Sequence, residues 1–233
     1  MPAMGTLYLV RHGQASFGAA DYDQLSELGA QQCLALGQWF AQQGVHFDAV
    51  LTGSLRRHAQ SLQAISTGHR DVPAAAIRPG LNEYDPQALV RAFMPELDLH
   101  PGLHSGDPAQ RAEIIKGHFR LLRQSLAAWM AGSTQPAQMP AWPDFLAGVV
   151  GALDEVRNLH TGNVLIVSSG GPIATAVGHV LGAGTDATIE LNLRIRNSAV
   201  TEFAFNPKRH HLLSFNHLPH LHAPECAGWQ TYA

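Results

Sequence analysis

The chain has 233 residues, 45% of them apolar and 14% charged, and its 15 Lys+Arg against 18 Asp+Glu leave a formal net charge of -3. That length suits one domain with an elaboration and is ample for a sizeable core. The near-neutral balance supplies no basic stripe for nucleic-acid phosphates, and no apolar run is long enough to cross a bilayer, so neither nucleic acid nor membrane is expected as a partner. The opening MPAMGTLYLVRHG lacks the charged and long apolar regions of a secretion signal. The two cysteines, Cys33 and Cys226, cannot make a disulfide framework and read as ordinary thiols of a cytoplasmic protein.

The first element is TLYLV (6–10), a short apolar run that stops abruptly at Arg11-His12-Gly13 and reads as a buried strand. Ser26 suits the cap of a helix running to about Gln43, with Leu28, Ala35 and Trp39 on one face, Leu36 and Phe40 beside it, and Gly44 as its stop. FDAVLT (47–52) reads as a second strand. Ser54 is placed to cap a helix carrying Leu55, Leu62 and Ile65, and AAAIRP (74–79) reads as a further short strand. From 85 to about 140 the composition turns to Pro, Gly, His and charge around one clear helix near 109–131 (Ile114, Ile115, Phe119, Leu122, Leu126, Trp129). This stretch is expected to form an inserted helical cap within a single domain spanning 1–233. A helix over 143–159, with Phe145, Val149, Leu153 and Val156 on one face, precedes NVLIVSS (163–169), the clearest buried strand. Gly170-Gly171-Pro172 then opens a helix to about Leu181. AVTEFAF (199–205) and HHLLSF (210–215), joined at Asn206-Pro207-Lys208, suit a hairpin. Alternating strands and helices predict an α/β fold with a mixed, mainly parallel sheet between helical layers, a three-layer sandwich.

Arg11-His12, Thr52 to Arg57 and Ser168-Ser169-Gly170 each follow directly after a predicted strand. In an open α/β sheet the ligand crevice lies beyond the carboxyl ends of the parallel strands, so these three segments can converge. Helix N-termini behind them favour an anion. Arg11 and Arg57, with Arg56 beside the latter, offer forked donors that match phosphate oxygens. A neutral imidazole at His12 can accept a phosphoryl group, and neighbouring guanidinium groups favour its unprotonated form. Glu83, in Leu81-Asn82-Glu83-Tyr84-Asp85, is placed to protonate a leaving oxygen, with Asp85 as its local rival. Gln14 can reach either phosphate or backbone. This chemistry calls for no metal and no cofactor. His217, His220 and His222 invite a zinc reading, but Pro219 breaks their spacing and no Cys or carboxylate set accompanies them.

LYLVRHGQ resembles the signature of the histidine phosphatases, the superfamily that includes the phosphoglycerate mutases. GSLRRHAQS (53–61) is similar to that family's second arginine motif, which usually reads Leu-x-Arg-Ala-x-Gln-Thr. LNEYD resembles its acid segment, and VLIVSSGG its strand bearing a second histidine. The resemblance follows the right order over most of the chain. It implies that His12 accepts the phosphoryl group, that Arg11 and Arg57 bind it, that Glu83 donates the proton, and that a helical cap covers the site.

Two departures stand out. Ser169 occupies the place of the second histidine in the family's Ser-His-Gly-Gly. Its hydroxyl can donate a hydrogen bond to phosphate, or cap the following helix, but it brings no charge. Loss of one such contact in the transition state costs roughly 2–4 kcal/mol, about 10²–10³ in rate; whether Arg56 or His58 fills the gap is open in the sequence. Gly18 stands where many relatives carry an asparagine. The mutases usually follow the acid with Arg-x-Tyr-Gly, where this chain has Tyr84-Asp85-Pro86-Gln87-Ala88. The resemblance therefore implies hydrolysis of a small phosphomonoester, with mutase-type transfer or a low-activity phosphate- or partner-binding module as the alternatives.

Overall fold

The computed structural model describes residues 4–16, 23–96 and 108–232. Four strands, β1 (Gly5–Arg11), β2 (Ala49–Thr52), β3 (Ala75–Ile77) and β4 (Asn163–Ser168), run parallel, and β5 (Val200–Asn206) and β6 (Arg209–His217) join antiparallel. They form one open mixed sheet in the order β3-β2-β4-β1-β5-β6. β4 lies between β1 and β2, and its last five residues are buried. A continuous apolar run such as VLIV is what a central parallel strand, covered on both faces, requires.

Successive strand residues go to opposite faces. Leu7, Leu9, Leu51, Val164 and Ile166 join one core with Trp129, Phe145, Val149, Ile173 and Ile189. These last come from helices α4 (Pro108–Met130), α5 (Trp142–Leu159), α6 (Gly170–Leu181) and α7 (Thr185–Arg194). Val10, Val50, Leu165 and Val167 join the other core with Cys33, Leu36, Phe40 and Ile65. That face is covered by α1 (Glu27–Gln42) and α2 (Arg56–Gly68). The result is helix, sheet, helix, as the alternating pattern predicts. A short α3 (Pro86–Phe93) lies against α4.

Ser26 caps α1 by accepting the Gly29 N–H, and Gly44 takes a left-handed φ of 65° just beyond its end. The buried face of α1 is set by Cys33, Leu36 and Phe40, while Leu28, Ala35 and Trp39 are only half-buried. Ser54 does not cap α2: its hydroxyl accepts from Asn82 Nδ2 at 2.8 Å, and the helix starts two residues later. Phe119 is 40% exposed, and among the described residues the buried core residues of α4 are Leu122, Leu126 and Trp129, all in its second half. α7 has no counterpart among the predicted elements. Its segment opens Gly-Thr-Asp after Gly182, a loop-like composition, and only Thr188 and Ile189 are buried. No helix among the described residues is long and apolar enough to cross a membrane.

Candidate active site

Register builds the site. Arg11 pairs with Ser168 across β1 and β4, and Thr52 pairs with Val167 across β2 and β4. The three strands therefore end level, and their following residues meet at one sheet edge. The His12 N–H continues the ladder to the Ser168 carbonyl at 2.9 Å.

His12 is 3% exposed. Its Nδ1 lies 2.7 Å from the Gly13 carbonyl, which can only accept, so Nδ1 carries the proton and Nε2 keeps its lone pair. Burial, reinforced by the positive charges of Arg11 and Arg57 and by His58, lowers its pKa well below the ordinary histidine value; the Gly13 bond opposes this. The imidazole is therefore neutral at neutral pH, with a fixed tautomer. Gly13 is tied to α2 through its N–H to Ser61 Oγ at 3.1 Å.

Arg11 Nη1 donates to the carbonyls of Ile195 and, at 2.7 Å, Tyr232, so the end of the chain holds this guanidinium. Arg57 opens α2 and is 7% exposed. Its Nη1 pairs with Asp23 Oδ1 at 2.8 Å. The same carboxylate accepts the backbone N–H groups of Arg56 (2.8 Å) and Arg57 (3.4 Å). Asp23 thus performs the capping expected of Ser54 and orients Arg57 as well. Nothing local in the sequence links position 23 to position 57. Gly18 lies outside the described residues.

Glu83 follows a single 3-10 turn (Pro79–Leu81) after β3. Its carboxylate accepts the Gly171 N–H at the start of α6, at 3.0 Å and 3.2 Å to its two oxygens. Gly171 permits this approach: a Cβ there would lie 2.2 Å from Glu83 Oε1. Burial raises the Glu83 pKa above the ordinary carboxylate value, against the opposing pull of the Gly171 N–H, Arg57 and Arg11. Asp85 does something else. It caps α3 by accepting from Gln87 N at 2.8 Å and Ala88 N at 3.1 Å. Gln14 turns its side-chain oxygen to the Ser26 hydroxyl at 2.9 Å, beside the start of α1.

Ser169 is fully buried and precedes α6, yet its hydroxyl makes no cap. It lies 2.7 Å from His58 Nε2. The His58 ring is also fully buried, with its centroid 5.9 Å from that of His12. Burial first, and Arg57 second, push the His58 pKa down to about 3. The structure thus brings Arg11, His12, Arg57, His58, Glu83 and Ser169 into one electrostatic neighbourhood: two fixed cations, a neutral nucleophile and a carboxyl held toward its protonated form. Such a set suits transfer of a dianionic group.

Among the described residues the remaining histidines form no such centre. His220 Nε2 lies 2.9 Å from Ser198 Oγ, and the His217 and His222 rings are 5.9 Å apart. Among the described residues no group of three or more His, Cys, Asp or Glu could hold a metal ion.

The sequence profile of the histidine phosphatase superfamily (branch 1) matches residues 7–97 and 106–218. A 2,3-bisphosphoglycerate-dependent phosphoglycerate mutase of Rhizobium etli (strain CIAT 652) is 29% identical over 182 residues, 74% of this chain and 78% of that protein. Among solved structures, a phosphoserine phosphatase of Entamoeba histolytica in complex with 3-phosphoglyceric acid superposes with a TM-score of 0.61 at 19% identity, covering 93% of this chain and 99% of that one. A phosphoglycerate mutase of Bacillus anthracis str. Sterne gives 0.60 at 17%, covering 94% and 96%. At these identities the solved structures speak to the fold alone.

Proposed function

The chain belongs to the histidine phosphatase superfamily, and on that premise we propose that it hydrolyses phosphomonoesters through a phosphohistidine formed at His12. The observation that carries the proposal is the state of that imidazole: buried, neutral, with Nδ1–H committed to Gly13 and flanked by two guanidinium groups. His12 Nε2 forms a bond to phosphorus as the ester P–O bond breaks. Arg11 and Arg57 offset the charge on the phosphoryl oxygens. The leaving oxygen takes its proton from Glu83, whose raised pKa keeps a protonated fraction available. The Glu83 carboxylate then removes a proton from water as that water attacks phosphorus, the P–N bond breaks, and both groups return to their starting states.

Hydrolysis is preferred to mutase transfer because the stretch after Glu83 departs from the mutase pattern: Asp85 and Pro86 there cap and open α3. The segment of about 85–140, as a cap, selects a small or moderately apolar substrate. The chain is proposed to work in the cytoplasm. The test is turnover of p-nitrophenyl phosphate and a panel of alkyl phosphates. His12→Ala is expected to abolish it, and wild-type rates in that variant would overturn the mechanism.

A further inference from the structure

We propose that His58 supplies the imidazole that position 169 lacks, with Ser169 and His58 acting as a pair: the hydroxyl donates to a phosphoryl oxygen while His58 Nε2–H holds that hydroxyl from behind. The proposal rests on the phosphatase reading and adds a positioning residue to it. Two departures from the family's motifs carry it. Where the arginine motif usually has alanine after its arginine, this chain has His58. Where the last motif has histidine, this chain has Ser169. These positions are 111 residues apart, yet their side chains meet at 2.7 Å. Relative to the family's motifs, one imidazole stands on α2 where the family has it just before α6.

The surroundings are built for it. Both side chains are fully buried. The His58 ring lies against Gly53, where a Cβ would come within 2.4 Å of Nδ1, so position 53 must be bare for the ring to fit. Nδ1 has no hydrogen-bond partner among the described residues, so Ser169 is the one polar group that orients the ring. When Nε2 donates to Oγ, the hydroxyl proton has to point elsewhere, and the His12 ring of the phosphate site lies at a centroid distance of 5.9 Å from the His58 ring. A histidine at 169 together with His58 would put two rings where 2.7 Å now separates Oγ from Nε2.

Reciprocal substitution tests the pair. For p-nitrophenyl phosphate, His58→Ala is expected to lower kcat/KM by about 10²-fold, the size of one lost transition-state donor. Ser169→His alone is expected to gain nothing, because His58 occupies the room. The double variant H58A/S169H is expected to return to within about tenfold of wild type, since a coupled pair is non-additive. A merely structural His58 would not be rescued this way. Should H58A fold poorly, His58→Asn, polar but too short to reach Ser169, takes its place with the same expected loss. The affinity for inorganic phosphate, measured by calorimetry, is expected to weaken about tenfold in H58A or H58N. Wild-type turnover and phosphate affinity in those variants, or a double variant no better than H58A, would overturn the pair. A wild-type chain that binds inorganic phosphate but turns over no ester would instead remove the phosphatase reading, and the calorimetric comparison would still decide the pair.

Discussion

Gly171→Ala displaces Glu83, and comparing two leaving groups separates that displacement from any loss of fold stability. A Cβ at 171 would lie 2.2 Å from Glu83 Oε1, and ordinary contact begins near 3.4 Å, so the carboxylate must retreat by about 1.2 Å. It would also lose the Gly171 N–H bonds that aim it. A misplacement of about 1 Å at a reacting group costs on the order of 10²-fold. The substitution itself favours the helix, since Ala is better than Gly by about 1 kcal/mol. The same Cβ meets the Tyr84 ring at 2.7 Å and 2.8 Å, an overpacking of about 1–3 kcal/mol. Loss of the N–H bonds to a buried carboxyl adds about 1–3 kcal/mol, so the net change in stability is about 1–5 kcal/mol, a fall in Tm of about 2–20 °C for a chain of this size. The loss of rate should depend on the leaving group. An alkyl phosphate needs its oxygen protonated and should lose about 10²-fold in kcat/KM, which reports the phosphorylation of His12; p-nitrophenyl phosphate, with a good leaving group, should lose far less in kcat/KM. Steady-state kinetics on both, with a thermal melt as control, decide the matter. Equal losses on the two esters, or none on either, would refute the assignment of Glu83 as proton donor.

The pH profile follows from the same group. The raised pKa of Glu83 means that the alkyl-ester rate falls as pH rises through its titration, and Glu83→Gln should lower the rate and flatten that limb. An unchanged limb in that variant would place the proton donor elsewhere. Asp23→Ala removes the α2 cap and the Arg57 partner together; a loss of roughly 1–3 kcal/mol is expected, read as a lowered Tm and a raised KM, and an unchanged KM would mean that Arg57 needs no such support. His58 is held neutral, with its pKa pushed from 6.5 to about 3. Its contribution to stability is therefore present above pH about 6.5 and is lost as pH falls toward 3. At pH 5 that amounts to about 2 kcal/mol, so His58→Gln should reduce the acid-induced drop in Tm between pH 7 and pH 5; the same drop in both proteins would contradict the assignment.

Much of this was legible in sequence because strands and their exits are local signals. TLYLV and VLIV announce buried parallel strands, and the chemistry sits in the residues that directly follow each. Ser26 and Gly44 bracket α1 by cap chemistry that operates within a few residues. The expectations that differ all depend on distant partners. Ser54 looked like a cap, but the free N–H groups of α2 are taken by Asp23, 33 and 34 residues away. Phe119 follows the apolar spacing of α4, but among the described residues it stays 40% exposed, because the partners that would cover it are not fixed by that spacing. The hold of Tyr232 on Arg11 spans nearly the whole chain. His58 was visible only as a basic side chain near a gap; what it meets is decided by the level ends of β2 and β4, which no reading of residues 53–61 contains.

The central claim is that His12 carries the phosphoryl group between substrate and water. Rapid quench of the protein with a 32P-labelled phosphomonoester, followed by alkaline digestion mapping, tests it most directly. An acid-labile, base-stable label is expected on the peptide that contains His12, absent from His12→Ala. Label on another peptide, or hydrolysis with no labelled protein at any quench time, would contradict it.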